Sequence, residues 1–133
     1  MKLLDTTFLI HYWAGSDEVK EYLETNDEAE FATTTINIKE VAVGRALQDQ
    51  LNPYDLQSTF QWLTIIPFQV THAFVAAELE AKLHRNENIN QDKINAVAGD
   101  VLIAAVAKQI DATVVTQNSN DFELFEDVSI ETY

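Results

Sequence analysis

Short apolar segments with strand character alternate along this chain with longer segments of helical periodicity. The strand-like segments are residues 3–5, "EFATTTI", "TIIPF", "ATVVT" and "VSIET". Parallel strands need a crossover between them, so strands that alternate with helices predict a mainly parallel sheet with helices on both faces. The sequence therefore predicts an α/β protein of the three-layer α/β/α kind, with residues 1–133 forming one domain.

The segments between the strands predict the helical layers. Helices are expected over residues 6–13, 16–26, 37–51, 53–63, 71–88 and 100–110, with a polar loop over 89–99 and a short turn or helix over 120–125. Pro67 indicates that strand pairing stops there or that this strand lies near an edge, because proline cannot donate a hydrogen bond to a sheet.

The first strand ends in a charged residue, Asp5, between the apolar segments "KLL" and "FLI". Burying a carboxylate is costly unless it is paired or binds a metal. Ligands of parallel α/β folds gather at the carboxyl ends of the strands, and Asp5 lies at such an end. We therefore expect Asp5 to mark a functional site.

Glu40 also lies at an unexpected position. On a helix of about 100° per residue, Ile36, Val43 and Leu47 form one buried stripe, and Glu40 falls in the middle of it. Its methylene groups would pack while its carboxylate reaches water, unless the carboxylate serves a site.

Two further carboxylates follow the same pattern. Asp100 begins "DVLIAAVAK", a helix that is apolar almost all round, where an Asp is also an ordinary N-cap. Asp121 follows the fourth strand within "QNSNDF", where Asn and Asp are also ordinary turn formers. If these residues converge with Asp5 and Glu40 at one end of the sheet, the oxygen-only ligand set suits Mg²⁺ or Mn²⁺.

The charge balance bears on possible partners. The chain has 22 acidic and 8 basic residues, a formal net charge of −14. Taken alone, this balance disfavours a nucleic-acid partner, because phosphate contacts need Lys and Arg. The acids form a solvated coat, as in proteins adapted to high salt, or some of them converge on a cation, and both can hold together.

Composition also limits the setting in which the chain works. The absence of cysteine excludes disulfides and thiolate metal sites. No run of about 18 apolar residues suggests a membrane span, and the N-terminus does not resemble a signal peptide. We therefore expect a cytoplasmic protein with no membrane partner.

Four segments, in this order and spacing, resemble a PIN-domain ribonuclease, and in particular a VapC-type toxin of a type II toxin–antitoxin pair. They are "LLDTTFLI", "INIKEVAVG", "DVLIAAVAK" and "ATVVTQNSNDFE", of which the last two are the most specific. The resemblance covers essentially the whole chain and implies a PIN-like fold with its active site at the carboxyl ends of the strands. It also implies that the metal site consists of Asp5, Glu40, Asp100 and Asp121 with Asn118 beside them, supported by Thr6 and Thr116.

The resemblance further implies a Mg²⁺-dependent (or Mn²⁺-dependent) endoribonuclease with an RNA substrate, a cognate antitoxin protein and a homodimeric assembly. "YDLQSTFQWL" and "THAFVAAELEAKL" agree with an assembly, since they carry more apolar surface than one small core needs. Many relatives have Asn at the position of Thr7, and some have an acid at that of Asn118. The second departure leaves open whether Asn118 or Asp121 reaches the metal, and whether one ion or two is bound.

Two other functions compete. A haloacid-dehalogenase-type phosphatase also has Asp after its first strand, but it needs a second Asp where this chain has Thr7. A non-catalytic PIN-like module that binds RNA or protein is the other alternative. The net charge of −14 favours it, whereas the four intact carboxylates argue against it.

Overall fold

A computed structural model describes residues 1–133 and contains one five-stranded sheet. The strands are β1 (Lys2–Leu4), β2 (Phe31–Thr34), β3 (Thr64–Ile66), β4 (Thr113–Val115) and β5 (Ser129–Glu131). They pair in the order β3-β2-β1-β4-β5, and every pairing is parallel. The expected parallel sheet is confirmed, and Pro67 directly follows the edge strand β3.

Eight helices connect the strands. They are α1 (Thr6–Trp13), α2 (Asp17–Thr25), α3 (Thr35–Leu47), α4 (Pro53–Thr59), α5 (Val70–Arg85), α6 (Gln91–Ala96), α7 (Ala98–Gln109) and α8 (Ser119–Phe122). None of them combines the length and the hydropathy that a bilayer-crossing helix requires.

Two apolar clusters, one on each side of the sheet, produce the three layers. Successive strand side chains point to opposite faces. Accordingly Leu3 packs into a cluster built largely from α5 and α7, whereas Leu4 packs into one that includes residues of α1, α2 and α4. The core of α7 is fully buried, as its nearly all-round apolar sequence indicates.

The prediction of a loop over residues 89–99 is wrong, because this segment contains α6 and the start of α7. The side chain of Asn90 caps α6 by accepting a 2.8 Å hydrogen bond from the backbone N–H of Lys93. Ile94 anchors the helix in the core. Six residues are too few to show a helical apolar period, so the sequence pattern missed this helix.

The prediction of which face of α3 is buried is also wrong. Val43 and Leu47 are 45% and 82% exposed, and the buried positions are Asn37 and Val41. The cause lies at the start of the helix, where β2 ends at Thr34. Thr34 and Asn37 form a reciprocal capping box that buries a polar residue and fixes the face of α3 that packs against α1 and α7.

Candidate active site

The sheet has a topological switch point between β1 and β4. From β1 the chain proceeds to β2 and β3 on one side, whereas β4 and β5 lie on the other. Connections that leave neighbouring strands in opposite directions open a crevice at the carboxyl ends, where ligands bind in such sheets. Asp5 follows β1 directly and Thr116 follows β4 directly, so both line this crevice.

Asp5 is buried, with 3% of its surface exposed. It occupies the N-cap position of α1, but its side chain makes no capping hydrogen bond. Its Oδ2 instead accepts a 2.8 Å hydrogen bond from the hydroxyl of Thr116, and its Oδ1 accepts a 3.3 Å bond from Nδ2 of Asn37. Burial raises the pKa of Asp5, and these hydrogen bonds counteract it in part.

Asn37 is a site residue that the sequence pattern did not indicate. It is fully buried, and its Nδ2 donates to Oγ1 of Thr6 at 3.0 Å as well as to Asp5. Its Oδ1 accepts a 2.6 Å bond from the hydroxyl of Thr34, which fixes the direction in which the amide points. The spacing of Thr34 and Asn37 was the available signal, because it is that of a helix N-cap and its third residue.

Glu40 points into the crevice from α3. Its Oε1 is buried and has no hydrogen-bond partner, and it lies 3.9 Å from the position that a Cβ on Gly99 would occupy. Burial and repulsion by Asp5 raise the pKa of Glu40, while the hydroxyl of Thr6 favours the charged form. An unpartnered buried carboxylate oxygen is costly and points to a missing partner.

Asp100 is the third residue of α7 and not its cap, which corrects the alternative raised from the sequence. Burial is the largest cause that raises the pKa of Asp100 to about 7, followed by repulsion from Asp5, Asp121 and Glu40. The repulsive contributions, as distinct from burial, place Asp100 within electrostatic range of these three carboxylates. The structure thus brings Asp5, Glu40 and Asp100 into one electrostatic neighbourhood.

The last loop brings Asn118 and Asp121 to the edge of the crevice. The backbone N–H of Asn118 donates a 2.9 Å hydrogen bond to Oγ1 of Thr116, which ties the loop to the end of β4. Asp121, in α8, forms an ion pair with Lys93 of α6. Lys93 is the second residue near the site that the sequence did not reveal, because α6 was expected to be a loop.

The donor set of this crevice fits a hard divalent cation. The donors are carboxylate oxygens, which hard cations prefer. These carboxylates repel one another, and the buried Oε1 of Glu40 has no hydrogen-bond partner. No group of three or more His, Asp or Glu side chains is arranged to hold a metal ion, however. The carboxylates therefore form a cluster at electrostatic range, and a shared ion would require side-chain adjustment.

Fold and crevice define a class: a parallel α/β domain with carboxylates gathered at its topological switch point. A model of the PIN domain matches residues 2–128 of the 133, and the chain belongs to this family. The expected PIN-like fold is confirmed. No curated protein sequence matches the chain significantly.

Solved structures with the same fold cover nearly the whole chain. VapBC2 from Rickettsia felis, bound to a DNA fragment from its promoter, aligns with a TM-score of 0.78 and 22% identity, covering 99% of this chain and 98% of the other. FitAcB from Neisseria gonorrhoeae aligns with a TM-score of 0.72 and 28% identity, covering 98% and 96%. DNA-bound VapBC from Salmonella typhimurium aligns with a TM-score of 0.75 and 20% identity, covering 98% and 96%. The resemblance to VapC-type proteins is thereby confirmed at the level of fold.

Proposed function

We propose that this chain is a metal-dependent endoribonuclease that cleaves RNA phosphodiester bonds and serves as the toxin of a type II toxin–antitoxin pair. The observation that carries the proposal is the cluster of Asp5, Glu40 and Asp100 at the switch point of a PIN-domain sheet. Mutually repelling carboxylates at this position are a costly arrangement that a bound cation would relieve.

The proposal assigns a distinct task to each group of side chains. Asp5, Glu40 and Asp100 hold the ion, with Asp121 or Asn118 completing the set, and Thr116 and Asn37 orient the carboxylate of Asp5. When bound, Mg²⁺ or Mn²⁺ supplies an activated water and stabilises the charge that builds on the scissile phosphate. Thr6 contributes because its hydroxyl favours the charged form of Glu40.

The antitoxin is proposed because similar solved structures include a toxin–antitoxin complex from Klebsiella pneumoniae. A groove of about 260 Å³ between α1 and α3 offers a surface for it. This α1–α3 groove is lined by Ile10, Trp13, Ala14, Val41, Gly44, Arg45 and Gln48. The guanidinium of Arg45 stacks 3.8 Å from the ring centre of Trp13, and its buried Nε lacks a hydrogen-bond partner. An apolar antitoxin segment that carries a carbonyl or carboxylate acceptor would satisfy both features.

A homodimer is proposed from a second apolar surface. Val70 and Phe74 are 70% and 68% exposed and lie one turn apart on α5. Such a pair of large apolar side chains on one helix face is typical of an assembly surface. Light scattering at micromolar concentration tests this part, and a monomer of 15.0 kDa would contradict it.

Cleavage of a single-stranded RNA by the intact chain tests the enzymatic part. We expect cleavage in Mg²⁺ or Mn²⁺ and none after addition of EDTA. RNA binding without cleavage in either ion would instead support the non-catalytic module, which the net charge of −14 favours. Cleavage that persists in EDTA would contradict the metal dependence.

A further inference from the structure

Lys93 is the one positively charged side chain that forms an ion pair with a carboxylate of the candidate site. Its ammonium group contacts Oδ1 of Asp121, while 43% of the lysine side chain stays exposed. The other lysine ion pairs join Lys2 to Glu131 and Lys82 to Glu126, outside the site. Lys39 favours the charged form of Glu40 but forms no ion pair.

The fold of α6 fixes Lys93 at this position. Asn90 caps the helix through the backbone N–H of Lys93, and the neighbouring Ile94 is buried in the core. The charge of Lys93 also lowers the pKa of Asp100 against the repulsion from the other carboxylates. Its ammonium group therefore lies within electrostatic range of Asp100 and not only beside Asp121.

Asp121 thus has two competing uses. While it pairs with Lys93, its Oδ1 faces an ammonium group, and no set of three acids is arranged to hold an ion. If Asp121 instead turned towards Asp100, it would add a fourth carboxylate to the cluster. A metal ion that takes this oxygen as a ligand would therefore have to open the ion pair with Lys93.

We propose that Lys93 is the built-in counter-cation of the site, which holds Asp121 in the metal-free protein and is displaced when a divalent cation takes Asp121 as a ligand. This inference rests on the proposed metal site. Two positive charges that compete for one carboxylate oppose each other's binding, so Lys93 weakens metal binding. It also offsets the repulsion among the carboxylates in the absence of metal.

Mn²⁺ binding to the intact, EDTA-treated and dialysed chain tests the inference, with the free ion counted by its electron paramagnetic resonance signal. Lys93→Gln is compared with Lys82→Gln, which removes the same charge from an exposed ion pair that involves no residue of the cluster. We expect Lys93→Gln to bind Mn²⁺ at least about threefold more tightly than the unaltered chain, since a nearby like charge is gone. Lys82→Gln should bind as the unaltered chain does.

The Asp121→Asn background separates displacement from general charge. In that background the ion pair is absent. The fold-increase in Mn²⁺ affinity caused by Lys93→Gln should therefore be less than half of the fold-increase that Lys93→Gln causes in the unaltered background. An equal increase in both backgrounds would contradict displacement at Asp121. Equal or weaker binding by Lys93→Gln in the unaltered background would overturn the inference and leave the metal site standing. If neither the unaltered chain nor Lys93→Gln binds Mn²⁺, the proposed metal site itself is wrong.

Discussion

The hydroxyl of Thr116 donates a 2.8 Å hydrogen bond to Oδ2 of Asp5. The two residues are 111 positions apart in sequence, and they immediately follow the central strand β1 and its neighbour β4. Both residues are buried, so this bond lies at the base of the crevice. The same hydroxyl accepts a hydrogen bond from the backbone of Asn118 and so couples Asp5 to the last loop.

Thr116→Val keeps the side-chain shape but removes the hydroxyl. The variant leaves the Asn118 N–H without its acceptor and raises the pKa of Asp5 further, because a hydrogen bond to the carboxylate is lost. We expect a loss of roughly 1–3 kcal/mol in unfolding free energy and a smaller gain in melting temperature from Mg²⁺. Thr116→Ser retains the hydroxyl and is the matched control. Equal behaviour of the two variants would contradict the role of this bond.

Asp100 should make the metal-free protein less stable as pH rises. Its folded-state pKa of about 7 lies above the ordinary 3.8, so the folded chain binds the extra proton between about pH 4 and pH 7. The stability from this proton is fully present below the unfolded-state pKa and is lost as pH rises through 7. We expect Asp100→Asn in EDTA to lose less stability than the unaltered chain across this window, by roughly 1 kcal/mol after solvent screening.

Asp27→Asn is the control for that pH series, since Asp27 is exposed and outside the cluster. Thermal melting from pH 4 to pH 8 gives the comparison. Parallel curves for Asp100→Asn and the unaltered chain would show that Asp100 does not carry a raised pKa.

Gly44→Leu should separate partner binding from stability. A Cβ at Gly44 meets no atom within 4 Å, so a side chain can leave the backbone there and extend into the α1–α3 groove that Gly44 lines. Replacing a helical glycine should stabilise the fold by up to about 1 kcal/mol. We expect the variant to melt higher but to lose affinity for the antitoxin in calorimetry, by about tenfold or more. Ala46→Leu, at an exposed position of the same helix outside the groove, should keep its affinity.

The net charge of −14 should make stability depend on salt. The Debye length falls from about 10 Å at 0.1 M to about 3 Å at 1 M salt, so repulsion within the acidic coat is screened. If the acid excess is an adaptation to high salt, the melting temperature should rise by about 10 °C between 0.1 M and 2 M KCl. A melting temperature that stays flat across this range would remove that explanation.

The succession of the five strands and their parallel pairing followed from the sequence because the first three strands are short apolar segments followed by longer helical ones. The position of Asp5 followed as well, since a carboxylate after a buried strand is rare without a purpose. The expectation that Glu40 and Asp100 lie near Asp5 rested on the shared edge of the sheet. In the structure, repulsion from Asp5 raises the pKa of both carboxyl groups.

What the sequence did not reveal depends on contacts between distant segments. The buried face of α3 is fixed by the capping box of Asn37 and by packing against α1 and α7, which helical periodicity cannot show. The ion pair of Lys93 with Asp121 was not predicted because α6, which carries Lys93, is too short to have a recognisable pattern. Both missed residues, Asn37 and Lys93, touch the site through side chains that no motif specifies.

The most direct test of the metal site is the rise in melting temperature caused by Mg²⁺, measured for the unaltered chain and for Asp5→Asn. Asparagine keeps the shape of Asp5 and removes one charge from the cluster, so in EDTA the variant should melt at the same temperature or higher. Added Mg²⁺ should stabilise the unaltered chain and stabilise Asp5→Asn much less, and RNA cleavage by the variant should fall by about 100-fold or more. If Asp5→Asn melts lower in EDTA, gains as much from Mg²⁺ and still cleaves RNA, the carboxylates do not form a metal site.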